Sequence, residues 1–131
     1  MNNVEMLACE MQKAGVDIVL CSFACPDLIH LERMERYSFM QPFNPKLQIY
    51  PRMDDYARAI AAANELLREL CGRLGVFYVP VAEELVGGTD LFTDNCHLHQ
   101  EAIARKADII FRHVKDYLKP KLAARGIIPA S

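Results

Sequence analysis

The sequence predicts an α/β fold in which parallel strands are flanked by helices. Two short apolar runs, "VDIVLCSFA" at 16–24 and "VFYVPV" at 76–81, contain β-branched residues without polar alternation, as in strands buried on both faces of a parallel sheet. Stretches with the apolar spacing of a helix precede each run and follow the second. Helices that alternate with strands in this way imply parallel strands joined by a right-handed crossover. The 131 residues fit a single α/β segment and leave no room for a second independent core.

The first half of the chain is predicted to form one helix, one strand and a long loop. In "NNVEMLACEMQKAG", the spacing of Met6, Leu7 and Met11 predicts one apolar helical face, and Gly15 is expected to end the helix. The strand at 16–24 follows. Residues 26–51 contain four prolines with scattered aromatic residues, which predicts mostly loop with a short helical turn around "LIHLERMER". A loop of this length in a compact domain is usually functional.

The second half is predicted to contain a long helix, the second strand and a last helix. Apolar spacing over 52–74 predicts an amphipathic helix that ends at Gly75. After the second strand, "AEELVGG" predicts one helical turn with a glycine break, and "TDLFTDNCH" predicts a loop. Pro120 is expected to stop or kink the last helix. That helix is predicted over 101–118, with an apolar face formed by Ile103, Ala107, Ile110, Phe111 and Val114.

Composition and charge exclude several classes of function. The formal net charge is only -2, so no surface for nucleic acid is expected. The longest apolar run is too short to span a bilayer, and no basic segment followed by an apolar stretch opens the chain, which predicts a cytoplasmic protein. The five cysteines include no C-x-x-C pair and are expected to be reduced thiols, with no metal and no cofactor.

Asp94 and His97 are the candidate catalytic residues, and they lie three apart just before the last predicted helix. In acyl transfer a histidine takes the proton of a serine hydroxyl, while a carboxylate fixes the imidazole tautomer and offsets its charge. Residues three apart within one turn can bring a carboxylate to an imidazole ring. The loop after a parallel strand also emerges at the sheet edge where ligands bind.

A structural interpretation of the same pair stays open. An aspartate before a helix is a favoured N-cap worth ~1 kcal/mol, and a histidine beside it is commonplace. Cys96 and His99 flank His97 and suggest a metal site. Side chains two residues apart on a helix diverge, however, so no metal is expected there.

Three segments resemble, in order and spacing, the C-terminal portion of SGNH/GDSL-type hydrolases, a family of esterase- and lipase-like enzymes. They are "GVDIVLCSF", "YARAIAAANELLRELCGRLGVFYVPV" and "DLFTDNCHLHQEAIARKADIIFRHV", and the most specific element is the Asp-x-x-His block from Asp94 to His97. The resemblance implies a flavodoxin-like, three-layer α/β/α fold, of which this chain covers the later half or so. It also implies hydrolysis of a small-molecule ester by a Ser-His-Asp triad in which Asp94 is the acid and His97 the base.

The family's other catalytic groups are not found in these residues. Its nucleophile lies in a Gly-Asp-Ser block, whereas the serines here, Ser22, Ser38 and Ser131, do not follow Gly-Asp. Its oxyanion donors, a glycine and an asparagine from two further blocks, also have no counterpart. Cys25 is a chemically reasonable substitute nucleophile, but lone cysteines are more often small core residues. We therefore expect the chain to represent a truncated hydrolase domain that is inactive alone.

A second class of function is a non-catalytic α/β remnant or interaction module. Two parallel strands that are apolar on both faces need sheet neighbours. We therefore expect an exposed sheet edge through which the chain self-associates or pairs with a partner. An in-frame Gly-Asp-Ser block upstream of Met1 would favour the hydrolase over this alternative.

Overall fold

The computed structural model describes residues 2–27, 46 and 53–129. Within these residues the chain alternates helices with two short strands, and no helix combines the length and apolar composition needed to cross a membrane. The elements in chain order are α1 (Asn2–Lys13), β1 (Val19–Cys21), α2 (Met53–Leu74), β2 (Phe77–Val79), α3 (Val81–Glu84) and α4 (Gln100–Ala124). Most of the loop predicted over 26–51, together with its helical turn, lies outside the described residues.

The two strands form a parallel sheet, which confirms the predicted parallel pairing. Val19 pairs with Phe77, Leu20 with Tyr78 and Cys21 with Val79. The first strand is shorter than the predicted 16–24, and past its C-terminal end Asn64 of α2 bonds both backbone groups of Phe23. The Phe23 N–H donates to Asn64 Oδ1 at 2.8 Å, and Asn64 Nδ2 donates to the Phe23 carbonyl at 2.9 Å. In the described part of the chain each strand has one sheet neighbour, so its other edge is unpaired.

One face of the sheet packs against α4 and the chain that leads into it, and we call this region the α4-side core. The partly buried side chains of Val19, Cys21 and Phe77 belong to it. Its buried members are Ala24, Val79, Val81, Leu85, Leu91, Phe92, Ala102 and Ile109. Because apolar burial is the main favourable contribution to folding, this face carries most of the stabilisation that the described residues provide.

The opposite face packs against α1 and α2, and we call it the α1-side core. Its buried members are Ala8, Cys71 and Val76. The partly buried residues around them are Ile18, Leu20, Leu67, Leu74 and Tyr78. Leu20 and Tyr78 therefore project to one face and their strand neighbours to the other, as the alternation of side chains along a strand requires.

The predicted apolar faces of α1 and α4 are confirmed only in part, since Ile110 and Val114 of α4 do pack against the α4-side core. Met6 and Leu7 are 66% and 63% exposed, and Ala8 between α1 and α2 is the buried residue instead. On α4, Ile103 and Phe111 are exposed, whereas Ala102 and Ile109 contact the sheet. Helical spacing identifies residues that share a face, but it does not decide which of two adjacent apolar stripes packs against the sheet.

The last helix also continues past Pro120, which was predicted to stop or kink it. It extends to Ala124 and ends before Gly126, whose φ of 69° is the left-handed conformation that commonly terminates helices. Lys121 ties this final turn to the rest of the fold. Its ammonium group pairs with Asp17 and donates to the Tyr117 hydroxyl at 2.6 Å. These contacts hold the segment in place although proline removes one helical hydrogen bond.

Candidate functional site

The candidate site lies on the loop between α3 and α4. Phe92 and Leu98 form an isolated antiparallel bridge, and Phe92 is almost fully buried in the α4-side core. The Thr93 N–H donates to the His97 carbonyl at 2.8 Å, and the His99 N–H donates to the Leu91 carbonyl at 2.9 Å. Residues 93–97 are therefore a short closed loop held at both ends by backbone hydrogen bonds and anchored by one aromatic side chain.

A glycine turn leads into this loop and connects it to the chain after β1. The Leu91 and Phe92 N–H groups both donate to the Gly88 carbonyl, at 3.0 and 2.8 Å. A side chain at Gly87 would place its Cβ 2.5 Å from Leu91 Cδ1, so a larger residue there would force the buried Leu91 side chain to move. The Asp27 N–H donates to the Gly87 carbonyl at 3.1 Å, which joins the turn to the segment that follows β1.

Asp94 is the buried centre of the loop, with only 4% of its surface exposed. Its Oδ1 accepts the backbone N–H groups of Cys96 and His97, at 2.8 and 2.7 Å. Its Oδ2 lies 2.6 Å from His97 Nδ1. Burial alone would raise the pKa of Asp94, but the donated hydrogen bonds from His97 and Cys96 outweigh it and hold the pKa below its usual value. Asp94 is therefore ionised at neutral pH.

His97 presents the opposite environment, because 75% of its side chain is exposed. An ionised carboxylate can only accept hydrogen bonds, so the imidazole nitrogen that faces Asp94 Oδ2 must carry the proton. In the neutral ring Nε2 is then the nitrogen with a free lone pair. The pair thus consists of a buried, fixed carboxylate and an accessible imidazole held in a single tautomer.

The capping interpretation of Asp94 is wrong. The N-cap residue of α4 is His99, which has an extended backbone and makes no side-chain cap hydrogen bond. Asp94 instead bonds N–H groups two and three residues ahead within the loop, as aspartate does in an Asx turn. The His99 ring lies 3.2 Å from the Thr89 carbonyl through Nε2, so the rings at 97 and 99 have different partners.

Tyr56 of α2 and Cys96 are two further titratable side chains of interest. Burial raises the pKa of Tyr56, and the ionisable groups of Cys96, Cys25 and Asp94 add to the rise. Cys96 is also close to the imidazole, with Sγ 3.5 Å from His97 Nδ1. Sequence reasoning did not connect Tyr56 with the loop, because α2 is far from it along the chain.

A cleft of about 430 Å³ opens between α2 and the carboxyl ends of the two strands. It is lined by Phe23 and Cys25 after β1, by Ala57 and Ile60 of α2, and by Ala82 after β2. The carboxyl ends of parallel strands are where open α/β sheets bind ligands. Burial raises the pKa of Cys25, so its thiol is protonated at neutral pH and is a poor nucleophile there.

Ser22 is the one serine in the described residues, and it is buried as predicted. Its hydroxyl donates to Glu83 Oε2 at 2.6 Å and accepts the Ala82 N–H at 2.8 Å. These bonds tie the end of β1 to the start of α3. The hydroxyl is thus committed to structural hydrogen bonds and is not placed against the imidazole.

The same loop also offers groups that can ligate a metal ion. Among the described residues, Asp94, Cys96 and His97 each have one ligand atom within 4.8 Å of the others. Sequence reasoning examined Cys96 and His99 beside His97 and missed Asp94 as the third ligand. The signal was present, since the three residues fall within four positions.

Comparisons with protein-family models, curated proteins and solved structures find no match for this chain.

Proposed function

We propose that this chain carries the acid and base of an SGNH-type ester hydrolase that cleaves small-molecule esters. The observation that supports the proposal is the hydrogen bond between Asp94 and His97, with Oδ2 2.6 Å from Nδ1. A buried carboxylate that orients an exposed imidazole is the arrangement that a serine hydrolase needs on the base side of its triad.

Each member of the pair has a defined role in the proposed reaction. His97 Nε2 takes the proton of the serine hydroxyl as that oxygen attacks the ester carbonyl, and then returns it to the leaving alcohol. Asp94 keeps the ring in the required tautomer and stabilises the imidazolium that forms. The two backbone N–H groups on Oδ1 keep the carboxylate ionised and fixed during the cycle.

The nucleophile and the oxyanion donors must come from outside these 131 residues. We propose that a segment with a Gly-Asp-Ser block supplies them and completes a three-layer α/β/α fold by adding strands to the sheet. The unpaired strand edges in the described residues offer a place for such strands. The cleft between α2 and the strand ends would then receive part of the ester.

The test begins with the reading frame upstream of Met1 and continues with the longest chain that it encodes. We expect an in-frame Gly-Asp-Ser block and turnover of p-nitrophenyl esters by the extended chain. His97→Ala should lower kcat by about 10⁴-fold or more, since removing one triad member has that effect in serine hydrolases. His99→Ala, which changes an exposed ring two residues away, should retain most of the activity.

The 131-residue chain provides the complementary control. Because it lacks the nucleophile block, we expect it to hydrolyse the same esters no faster than its own His97→Ala variant. Turnover that His97→Ala abolishes would mean that a nucleophile within this chain had been missed, and Cys25→Ala would then identify or exclude that thiol. An extended chain without a Gly-Asp-Ser block would contradict the hydrolase proposal.

A non-catalytic interaction module is the second candidate. The unpaired strand edges favour it, because exposed edges pair readily with another chain. Sedimentation across a range of concentrations would detect self-association. Association without esterase activity in the extended chain would support this candidate over the hydrolase.

A further inference from the structure

We propose that Asp94, Cys96 and His97 form a binding site for a zinc ion. The sequence led us to expect no metal, and the structure changes that expectation because it brings a carboxylate, a thiol and an imidazole together on one closed loop. The site requires only these three side chains, and zinc bound there would take the place of the Asp94–His97 hydrogen bond that the proposed hydrolase needs, so the zinc-bound chain would not hydrolyse esters.

Two of the three ligand separations can be compared with those that zinc needs, and all three ligand atoms lie within 4.8 Å of one another. Cys96 Sγ lies 3.5 Å from His97 Nδ1. With Zn–S near 2.3 Å and Zn–N near 2.0 Å, tetrahedral angles place sulfur and nitrogen about 3.5 Å apart. The Nδ1 to Oδ2 separation is 2.6 Å, and zinc would require about 3.3 Å between these ligands. A small rotation of the exposed His97 ring provides that opening. The ring proton then moves from Nδ1 to Nε2, the Cys96 thiol releases its proton to solvent, and the ion takes the place of the hydrogen bond between ring and carboxylate.

The ligand set selects zinc over the common alternatives. Calcium and magnesium prefer oxygen ligands, whereas a thiolate with an imidazole suits zinc and its neighbours in the transition series. Three protein ligands leave the fourth tetrahedral position for water or another molecule, as in zinc sites that remain open. The exposure of His97 leaves room for such a ligand.

The surrounding loop holds the ligands in advance. The backbone N–H groups of the other two ligand residues, Cys96 and His97, both donate to Asp94 Oδ1. These bonds fix the carboxylate so that Oδ2 faces the imidazole. The Phe92 to Leu98 bridge closes the loop around them. Outer contacts of this kind orient metal ligands and raise the affinity of a site.

Cobalt(II), which takes zinc sites and absorbs light, provides the first measurement on the 131-residue chain. We expect one cobalt per chain, a thiolate-to-cobalt charge-transfer band and the visible bands of tetrahedral cobalt, all of them lost when zinc is added. A zinc titration against a chromophoric chelator then gives the affinity. Absence of a one-to-one cobalt complex in the unmodified chain would overturn the proposal.

Variants assign the ligands. Cys96→Ser should abolish the charge-transfer band, and Cys96→Ser and His97→Ala should each weaken zinc binding by about tenfold or more, since even partners of ligands have effects of that size. Cys25→Ser and His99→Ala are matched controls and should bind as the unmodified chain does. Because His97 is exposed, His97→Ala leaves the core intact, and far-ultraviolet circular dichroism checks the fold of each variant. A band that survives Cys96→Ser, or that Cys25→Ser removes, would contradict the assignment.

Discussion

The two faces of the sheet are packed very differently. In the α4-side core, Val79, Val81, Leu85 and Ala102 have no exposed surface and Phe92 has almost none. The α1-side core contains three small or medium buried residues, and α1 turns Met6 and Leu7 toward solvent. Most of the apolar burial in the described residues therefore lies on one side of a two-stranded sheet.

The candidate site stands on the better packed side. Phe92 enters the α4-side core one residue before the closed loop of 93–97 begins, so the position of the Asp94 and His97 pair depends on that core. Chemical groups must be held within a fraction of an ångström to act together, which rigid supporting residues achieve. Local hydrogen bonds therefore shape the loop, whereas packing on one sheet face determines where it lies.

Phe92→Ala should give the largest effect, because it tests whether the α4-side core supports the fold. Removing a buried phenylalanine costs about 3–5 kcal/mol in the free energy of unfolding. Phe111→Ala is the matched control, since Phe111 lies on α4 with 63% of its surface exposed. It should cost less than about 0.5–1 kcal/mol. Urea unfolding measures both variants. If they lost equal free energy of unfolding, the buried and the exposed phenylalanine would stabilise the fold equally, and the α4-side core would not have the role described here.

Ser22→Ala should have the next largest effect and tests the connection between β1 and α3. It leaves the Ala82 N–H without its acceptor and removes the donor to Glu83 Oε2, while Tyr78 still donates to Glu83 Oε1, at a cost of about 1–3 kcal/mol. Thr93→Ala removes an exposed hydroxyl that bonds the His97 carbonyl at 3.2 Å and serves as the control. Chemical denaturation measures both variants. A Ser22→Ala loss no greater than that of the control would show that the buried hydroxyl does not stabilise this end of the sheet.

Asp94→Asn should change how stability depends on pH. The pKa of Asp94 is lower in the folded chain than in the unfolded chain, where an aspartate titrates near about 3.9. Its ionisation therefore stabilises the fold above that value, and the stabilisation is lost as pH falls through the lower folded pKa. When unfolding is measured from pH 5 downwards, the free energy of unfolding should fall less steeply with decreasing pH in Asp94→Asn than in the unmodified chain. Asp116→Asn, on the exposed side of α4, is the control. Parallel curves for the unmodified chain and Asp94→Asn would contradict the prediction.

Leu7→Gln should give the smallest effect and tests the α1 side directly. Leu7 is 63% exposed, and glutamine is compatible with a helix, so the free energy of unfolding should change by less than about 0.5 kcal/mol. Val76→Ala, within the α1-side core, is the contrasting variant and should cost more. If Leu7→Gln destabilised the monomer as much as Val76→Ala, the exposed side of α1 would have to be packed in solution.

The sequence by itself determined the order of helices and strands and the parallel character of the strands. Unbroken apolar runs between amphipathic stretches encode these features, because they depend on local periodicity. The closeness of Asp94 and His97 is equally local, since residues three apart within one turn meet whatever the rest of the fold does. Gly75, with φ of 65°, ends α2 where predicted for the same kind of reason.

Tertiary structure alone decided which apolar stripe of each helix meets the sheet and what bonds the chain just past β1. Asn64 and Phe23 are 41 positions apart, so the bonds past the end of the strand depend on the docking of α2. The same docking packs Ala57 of α2 against Cys25. Contacts between distant residues follow from how whole faces pack, and a helical pattern with several apolar stripes leaves that choice open.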